Sequence, residues 1–406
     1  MDELSFSTAG VNDGAKTPAP STVVAQQPGG GSSCQSPSTP PIAPTTPPAA
    51  SQEPYEWIMG PTIDMLFVCG GFFWIIVAAL YLTNFDVNLY GSPTAFSLAT
   101  VSIIGLQLLG DAHQPATLFR VYGSKTTRDK LGVPVTLIGV FALAVGLCAF
   151  FVSSSTMLLL KIILAWGIQH QLAQSYGIAL VYCYKRKYYL TKNEKQVMFL
   201  MVQSAIVFMI VRMFSVKEFA QFRLSNSIDV PFWNFLPSWT TTVAGCVLGA
   251  LVLLFAGVVA RKYVRDKQMF PLPGLCTLMS LIALGLCAGD KFLIIWYLFS
   301  TWWFHSSQYL VITSAFYLKE KGLPENMAFS EIGKLLWSPT FIKYYLLVFG
   351  TGFTVFYLIP CWLVSNGVEK AVAIGAVYIA FNLHHYITDA LIWKLRDPSI
   401  QKLLIA

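Results

Sequence analysis

Long apolar runs separated by short polar loops make up the chain after Trp57, and they constrain its fold more than any other feature. A helix that crosses a bilayer needs about 20 apolar residues. Only 12% of the residues are charged, roughly half the share found in ordinary soluble domains. The sequence therefore predicts an all-α, polytopic transmembrane helical bundle over residues 55–406. It excludes a soluble globular enzyme, a disordered protein and a coiled coil.

Ten of these runs are predicted to be membrane spans. Loops after even-numbered spans contain 20 lysines and arginines, whereas loops after odd-numbered spans contain 4. By the positive-inside rule, both termini are then cytoplasmic. We expect an integral protein of a bacterial inner or thylakoid-type membrane, in contact with lipids and with no nucleic-acid partner. The predicted spans are Ile58–Tyr81, Ala95–Phe119, Val133–Val152, Met157–Tyr184, Val197–Phe214, Trp239–Ala260, Leu272–Ala288, Phe292–Leu318, Phe341–Val364 and Ala371–Trp393.

Residues 1–54 have a different composition, rich in Pro, Ser, Thr and Gly and without aliphatic runs. Such a segment buries too little apolar surface to offset its conformational entropy. The sequence predicts a disordered N-terminal tail. Two roles remain open for it, a flexible tether and a docking segment for a protein partner.

The chain has five histidines, and all of them lie in even-numbered predicted spans, which run in the same direction. Ionisable groups within a membrane are costly and indicate function, and imidazole is the commonest metal ligand. We predict a metal site formed by His113, His170, His305 and His385. The adjacent His384 points about 100° away from His385 on a helix, and the sequence leaves open which of the two faces the site.

Depth along the helices does not decide whether the histidines share one site. Estimated at 1.5 Å per residue from the first basic residue of each helix, their depths spread over roughly 12 Å. Helix tilt and a break at Pro115 would reduce this spread. A single site is permitted by the sequence without being required.

Each histidine has polar neighbours that an apolar helix does not need. A carboxylate or amide one turn away can hold the second ring nitrogen of a metal-bound histidine. We predict this outer role for Gln174, Gln308 and His384, and a catalytic or proton-handling role for Asp111, Tyr309 and Asp389. Asp389, four residues after His385, is expected to orient that ring.

Two adjacent tryptophans, Trp302 and Trp303, lie well inside span eight, away from the membrane interfaces where tryptophan is enriched. Core packing is the simplest explanation. The alternative is that they line a tunnel for a long apolar or conjugated substrate, and we list them as candidate substrate-binding residues.

The segments around these histidines resemble the Brp/Blh family of membrane carotenoid oxygenases. The resemblance implies an all-helical protein whose histidines, spread over several helices, bind an iron that cleaves β-carotene to retinal. In that family a second histidine tends to follow the His-Ser segment by one turn, where this chain has Tyr309. The segment that begins at His385 also resembles the corresponding segment of an uncharacterised group of bacterial membrane proteins. The nearest matches are Phe304-His305-Ser306 and His385-Tyr386-Ile387-Thr388-Asp389.

Three functions therefore agree with the sequence. The first is a metal-dependent membrane oxidoreductase or oxygenase that acts on an apolar isoprenoid, carotenoid or lipid, with iron favoured and Zn, Cu and Mn left open. The second is a haem- or pigment-binding subunit of an electron-transfer or photosynthetic complex, with His170 and His305 as the haem ligands. The third is a transporter or assembly factor without catalytic activity.

Overall fold

A computed structural model describes residues 57–82, 100–215 except 102, 223–224, 228–229, 234–287, 301–395 except 322, 325, 326 and 328, and 397–405. The predicted N-terminal tail, residues 1–54, lies outside the described residues. The predicted starts of spans two and eight, residues 95–99 and 292–300, also lie outside them.

The described part of the chain is helical, as predicted. The β-structure among the described residues is one antiparallel pair of two-residue strands, Arg223–Leu224 and Ile228–Asp229. A 3₁₀ helix covers Phe329–Trp337. The main helices are α1 (Gly71–Leu82), α2 (Asp111–Tyr122), α3 (Lys125–Phe151), α4 (Ser153–Lys185), α5 (Lys192–Ser215), α6 (Trp239–Asp266), α7 (Leu272–Cys287), α8 (Ser307–Lys321), α9 (Pro339–Ser365), α10 (Lys370–Ile392) and α11 (Pro398–Leu404).

Among the described residues, six helices are long and apolar enough to cross a membrane, namely α3, α4, α5, α6, α9 and α10. A bent pair of shorter helices, Pro61–Val68 and Gly71–Ala79, adds a seventh span if the two count as one. These helices are compatible with an integral membrane protein. The predicted number of ten spans is not confirmed, because α2, α7 and α8 are short.

Serine caps start two of the long helices. The Ser124 hydroxyl accepts a hydrogen bond from the Thr127 N–H at the start of α3, and the Ser338 hydroxyl accepts one from Phe341 N–H at the start of α9. Pro339, the first residue of α9, has no N–H to leave unpaired there. These caps satisfy backbone donors that the first turn of a helix leaves free.

Four π-helical turns interrupt the described helices. Such turns are rare and occur frequently at functional sites. The turn Leu106–Gly110 leads directly into α2, and the turn Thr301–Ser306 contains His305 and leads into α8. The other two are Asp64–Val68 and Thr354–Leu358.

The helices that carry the histidines run in the same direction, because their contacts advance together along both partners. This confirms the parallel arrangement predicted from the alternation of spans. Between α2 and α10, Gln114 contacts Asn382, Thr117 contacts Asp389 and Arg120 contacts Trp393. Between α2 and the π turn that continues into α8, His113 contacts Ser306, and further along α8 Thr117 contacts Tyr309 and Arg120 contacts Phe316. Between α4 and the same π turn and α8, His170 contacts His305 and Gln174 contacts Gln308.

These helices also form the enclosed part of the bundle. In the most apolar 18-residue stretch of α10, 61% of the residues are buried inside the bundle, whereas the corresponding share for α6 is 11%. The largest core cluster joins Leu164 and Leu172 of α4 to Ile379 and Leu383 of α10. His170 and His385 therefore project from two of the more enclosed helices among the described residues.

Candidate metal centre

Four imidazoles meet between α2, α4, α8 and α10. The ring centroids are 4.8 Å apart for His113 and His385, 4.7 Å for His170 and His385, 5.0 Å for His170 and His305, and 5.3 Å for His113 and His305. Three of the rings are buried, and the His170 side chain is 11% exposed. The structure thus brings together the four histidines that the sequence singled out.

The depth spread of roughly 12 Å estimated from the sequence is wrong. That estimate took the first basic residue of each helix as a marker of one common plane. The Arg120 guanidinium carbon lies 3.4 Å from the centroid of the Phe316 ring, three residues before Lys319. The basic residues therefore lie at different levels, and they mislead about the relative heights of the histidines.

The structure also distinguishes the two adjacent histidines of α10. His385 is fully buried among the other three imidazoles. His384 lies beside Gly139 of α3, and its Nε2 is 3.5 Å from the Thr388 hydroxyl of its own helix. His385 is therefore the member of the cluster, and His384 points to a different helix.

The spacing of the ring nitrogens suits a metal ion. Two nitrogens that bind one ion at about 2.1 Å lie roughly 3.0–3.4 Å apart at octahedral to tetrahedral angles, and Nε2 of His170 is 3.1 Å from Nε2 of His385. A hydrogen bond between two imidazoles has a similar length, so this distance alone does not select a metal. Candidate ligand atoms lie within 4.8 Å of one another in two overlapping sets: His113, His305 and His385, and His170, His385 and Asp389.

The two ring nitrogens of His305 lack hydrogen-bond partners among the described residues. Both nitrogens are buried, and the residue is only 1% exposed. The Gln171 backbone lies beside the ring without reaching hydrogen-bond geometry. Buried polar groups nearly always have a partner, and leaving one unsatisfied costs about 1–3 kcal/mol. A metal ion bound to one of the two nitrogens would supply the partner that this nitrogen lacks.

The backbone fixes the ring of His113. Its Nδ1 makes a short hydrogen bond to the Gly110 carbonyl and lies 3.2 Å from the Ser306 hydroxyl. Pro115 has no N–H to donate to the preceding turn, so carbonyl oxygens in this turn are available to other donors. With Nδ1 held in this way, Nε2 of His113 is the nitrogen that remains for a ligand.

Thr117 is a buried residue that the sequence reasoning missed. Its Oγ1 lies 2.7 Å from Nδ1 of His385, 2.6 Å from the Tyr309 hydroxyl and 3.2 Å from Oδ1 of Asp389. The Tyr309 hydroxyl also donates to Oδ1 of Asp389 at 2.7 Å. Asp389 therefore orients His385 through a threonine hydroxyl rather than directly. Thr117 lies four residues after His113 on α2, and this spacing is the sequence feature that could have identified it as a neighbour of the cluster.

The two glutamines hold helices together instead of contacting ring nitrogens. Gln174 Nε2 donates to the His305 carbonyl at 3.2 Å and to Oε1 of Gln308 at 2.9 Å. Gln308 in turn donates to the Val68 carbonyl at 2.7 Å. The predicted role of both residues beside an imidazole nitrogen is replaced by a role in fixing the π turn that carries His305.

Three further candidates lie away from the imidazole nitrogens. Asp111 is buried on the side of α2 that faces α9, where Tyr357 is its side-chain partner. Among the described residues, no hydrogen bond or ion pair joins Asp111 to a histidine. Trp302 and Trp303 are buried against Gly110 and Gly105, whose missing side chains make room for the indoles. Their role towards a substrate stays a prediction.

Comparison of the chain with protein families, with curated proteins and with solved structures finds no match to any of them.

Proposed function

We propose that the protein is a membrane-embedded, metal-dependent oxidoreductase of the oxygenase type. His113, His170, His305 and His385 hold the metal, and Thr117 and Tyr309 complete the surrounding hydrogen-bond network. The observation that carries the proposal is the cluster of four imidazoles, in which neither His305 nitrogen has a hydrogen bond among the described residues. The resemblance to Brp/Blh carotenoid oxygenases points to the same class.

Iron is the metal that we propose. Imidazole suits Fe, Zn, Cu and Ni, and histidines combined with a carboxylate and open metal positions are typical of non-haem iron sites that use oxygen. Four imidazolium ions at these distances would repel one another strongly in an apolar interior, which favours neutral rings, the form that binds metals. When bound, the metal would supply the redox chemistry. The chain itself would hold the ligands and exclude water.

An apolar groove beside α8 agrees with an apolar substrate. The groove has a volume of about 410 Å³ and lies between α8, α9 and the segment before α1. Its lining is almost entirely apolar, and it includes Leu109, one turn before His113, and Leu310, one residue after Tyr309. A volume of this size is within the range of small-molecule sites. We propose an isoprenoid, carotenoid or lipid as the substrate.

The packing favours a metal ion over a haem between His170 and His305. The two rings of a bis-histidine haem approach opposite faces of a macrocycle. Here the ring centroids are 5.0 Å apart with an angle of 77° between the ring planes. An ion needs no such separation of the rings.

We also propose the ten-span arrangement with both termini in the cytoplasm. The parallel direction of α2, α4, α8 and α10 agrees with it, since alternate spans run the same way. Protease protection of a C-terminal tag in sealed inside-out and right-side-out vesicles tests this orientation.

Metal analysis of the purified protein tests the function. We expect about one equivalent of iron per chain, lost in His305→Ala and His170→Ala. The matched control is His384→Ala, which removes an imidazole from the same bundle without touching the cluster. Wild-type protein that binds no metal under any loading condition would contradict the proposal, as would His305→Ala and His170→Ala variants with full metal content.

Activity is tested on the same sample. Iron-loaded protein in detergent or nanodiscs is incubated with oxygen and a mixture of polyenes and membrane lipids, and products are identified by mass spectrometry. Product formation that requires both oxygen and an intact His305 supports an oxygenase. A fully iron-loaded protein with a Soret band would instead support the haem alternative.

A further inference from the structure

The two carboxylate oxygens of Asp389 have different surroundings. Oδ1 accepts hydrogen bonds from the Tyr309 hydroxyl at 2.7 Å and from the Thr117 hydroxyl at 3.2 Å. Oδ2 lies 3.7 Å from Nε2 of His385 and 3.8 Å from Nε2 of His170. One oxygen is therefore anchored by hydroxyl groups, and the other faces the two Nε2 atoms, which are 3.1 Å apart.

The same threonine that anchors Asp389 also sets the orientation of His385. Its Oγ1 is 2.7 Å from Nδ1 of that ring, and Thr117 is completely buried. If Nδ1 donates to this hydroxyl, Nε2 is left as the nitrogen available to a ligand. One side chain thus fixes a carboxylate and an imidazole relative to each other.

We infer that Asp389 binds the metal directly through Oδ2, together with Nε2 of His170 and His385, and that Thr117 is the residue that positions this donor set. The inference rests on the metal site proposed above. It assigns Asp389 to the metal itself, whereas the sequence suggested that it orients a histidine or handles a proton.

The charge of the site favours this assignment. A divalent ion held by neutral imidazoles alone would bring two uncompensated charges into an apolar bundle, which is costly. A carboxylate ligand halves that charge. Two histidines and one carboxylate are also the donor set of non-haem Fe(II) oxygenases, and they leave positions open on the metal. His113 and His305 form an overlapping candidate set with His385 and provide further nitrogens close to this one.

Cobalt(II) provides a spectroscopic probe of the donor set. The full-length chain is titrated with Co²⁺, and its visible absorption reports both affinity and coordination. We expect Asp389→Asn to weaken Co²⁺ binding by about tenfold or more and to change the shape of the spectrum, because an anionic oxygen is lost. The matched control is Asp111→Asn, another buried aspartate, which faces α9 and should leave the spectrum unchanged.

Thr117 is tested by two substitutions. Thr117→Ser keeps the hydroxyl and should retain the wild-type spectrum, whereas Thr117→Val keeps the shape and should weaken Co²⁺ binding by about tenfold. A purely structural role would affect both variants through stability without moving the spectrum of the protein that remains folded.

Infrared difference spectra of the wild-type protein keep the inference testable if Asp389→Asn does not fold. Loading with Co²⁺ should shift a carboxylate band that responds to ¹³C-labelled aspartate. Absence of that shift, or an Asp389→Asn variant with unchanged affinity and spectrum, overturns the inference while the metal site stands. Wild-type protein that binds no Co²⁺ overturns the proposed metal site instead.

Discussion

Two buried aspartates in this bundle have neighbours of different kinds. Asp64 accepts hydrogen bonds from the backbone N–H groups of Ile58 at 2.6 Å and Met59 at 2.9 Å, and from the Tyr182 hydroxyl at 2.7 Å. Asp389 accepts its hydrogen bonds on one oxygen, and its other oxygen faces imidazoles. Both are nearly inaccessible to solvent.

The difference separates a structural carboxylate from a functional one. The partners of Asp64 are the backbone before α1 and a side chain of α4, so its hydrogen bonds fasten that segment to the bundle. Nothing remains on Asp64 for a ligand to bind. Oδ2 of Asp389 instead lies next to Nε2 of His170 and Nε2 of His385. Burial alone therefore does not identify the site, whereas the proximity of a buried carboxylate oxygen to imidazole nitrogens does.

The largest effect is expected from Asp64→Ala. The change leaves three backbone N–H groups and the Tyr182 hydroxyl without their acceptor. Each unsatisfied buried group costs about 1–3 kcal/mol, so we expect a loss above about 4 kcal/mol and little folded protein. Yield and thermal stability are measured by size-exclusion chromatography in detergent.

Asp389→Ala is the comparison for that experiment. Its two hydroxyl donors, Thr117 and Tyr309, are 2.6 Å apart and can bond to each other after the carboxylate is removed. We expect folded protein that has lost metal. Equal destabilisation by the two changes would remove the distinction between the aspartates.

Two tyrosines sharpen the comparison, because each donates to an aspartate at 2.7 Å. Tyr182→Phe should lower stability by about 1.5–3 kcal/mol, the value of a hydrogen bond to a charged group, and should leave metal affinity unchanged. Tyr309→Phe should weaken metal binding by about tenfold with a smaller loss of stability. Unfolding and Co²⁺ titration are measured on both variants, and an exchange of the two outcomes would contradict our assignment.

Much of this organisation was predictable from the sequence. Apolar length predicted the helices, and confinement of the histidines to alternate spans predicted that their helices are parallel. The structure does bring His113, His170, His305 and His385 together, although the depths estimated from the sequence did not place them at one level. Periodicity alone did not decide between His384 and His385, because the rotation of α10 depends on what packs against it.

Other features depended on packing that sequence spacing does not contain. Thr117 is an ordinary residue in an apolar helix until Tyr309 and His385 from two other helices meet its hydroxyl. Asp111 and Asp389 are both aspartates close to a histidine in a predicted span, so the sequence did not distinguish them. In the structure Gly352 packs closely against the Asp111 backbone, and this side of α2 faces α9. The π turns before α2 and α8 also shift the helical register, which an estimate at 1.5 Å per residue ignores.

A moderate effect is expected from Gly167→Ala on α4. A Cβ at this position would lie 2.8 Å from the Tyr386 hydroxyl, and Tyr386 stacks on His170 with ring centroids 4.5 Å apart. Overpacking of this kind costs about 1–3 kcal/mol, partly offset by the higher helix propensity of alanine. We expect a metal affinity reduced by a few fold, measured by Co²⁺ titration. An unchanged affinity would show that the stacked tyrosine does not hold the His170 ring.

The smallest effect is expected from His384→Ala, and it tests the rotation of α10. His384 and His385 are adjacent and chemically identical, so any difference between them comes from what each side chain contacts. His385 lies between His113 and His170, whereas His384 lies beside Gly139 of α3 with Thr388 as its hydrogen-bond partner. Truncating His384 removes one weak hydrogen bond, so we expect a stability loss of about 0.5–1.5 kcal/mol and wild-type metal content. If His384→Ala lost its metal and His385→Ala kept it, the face of α10 that carries His384 would form the site. Asp389, four residues after His385, would then lie outside the site, and the distinction between Asp64 and Asp389 would not hold.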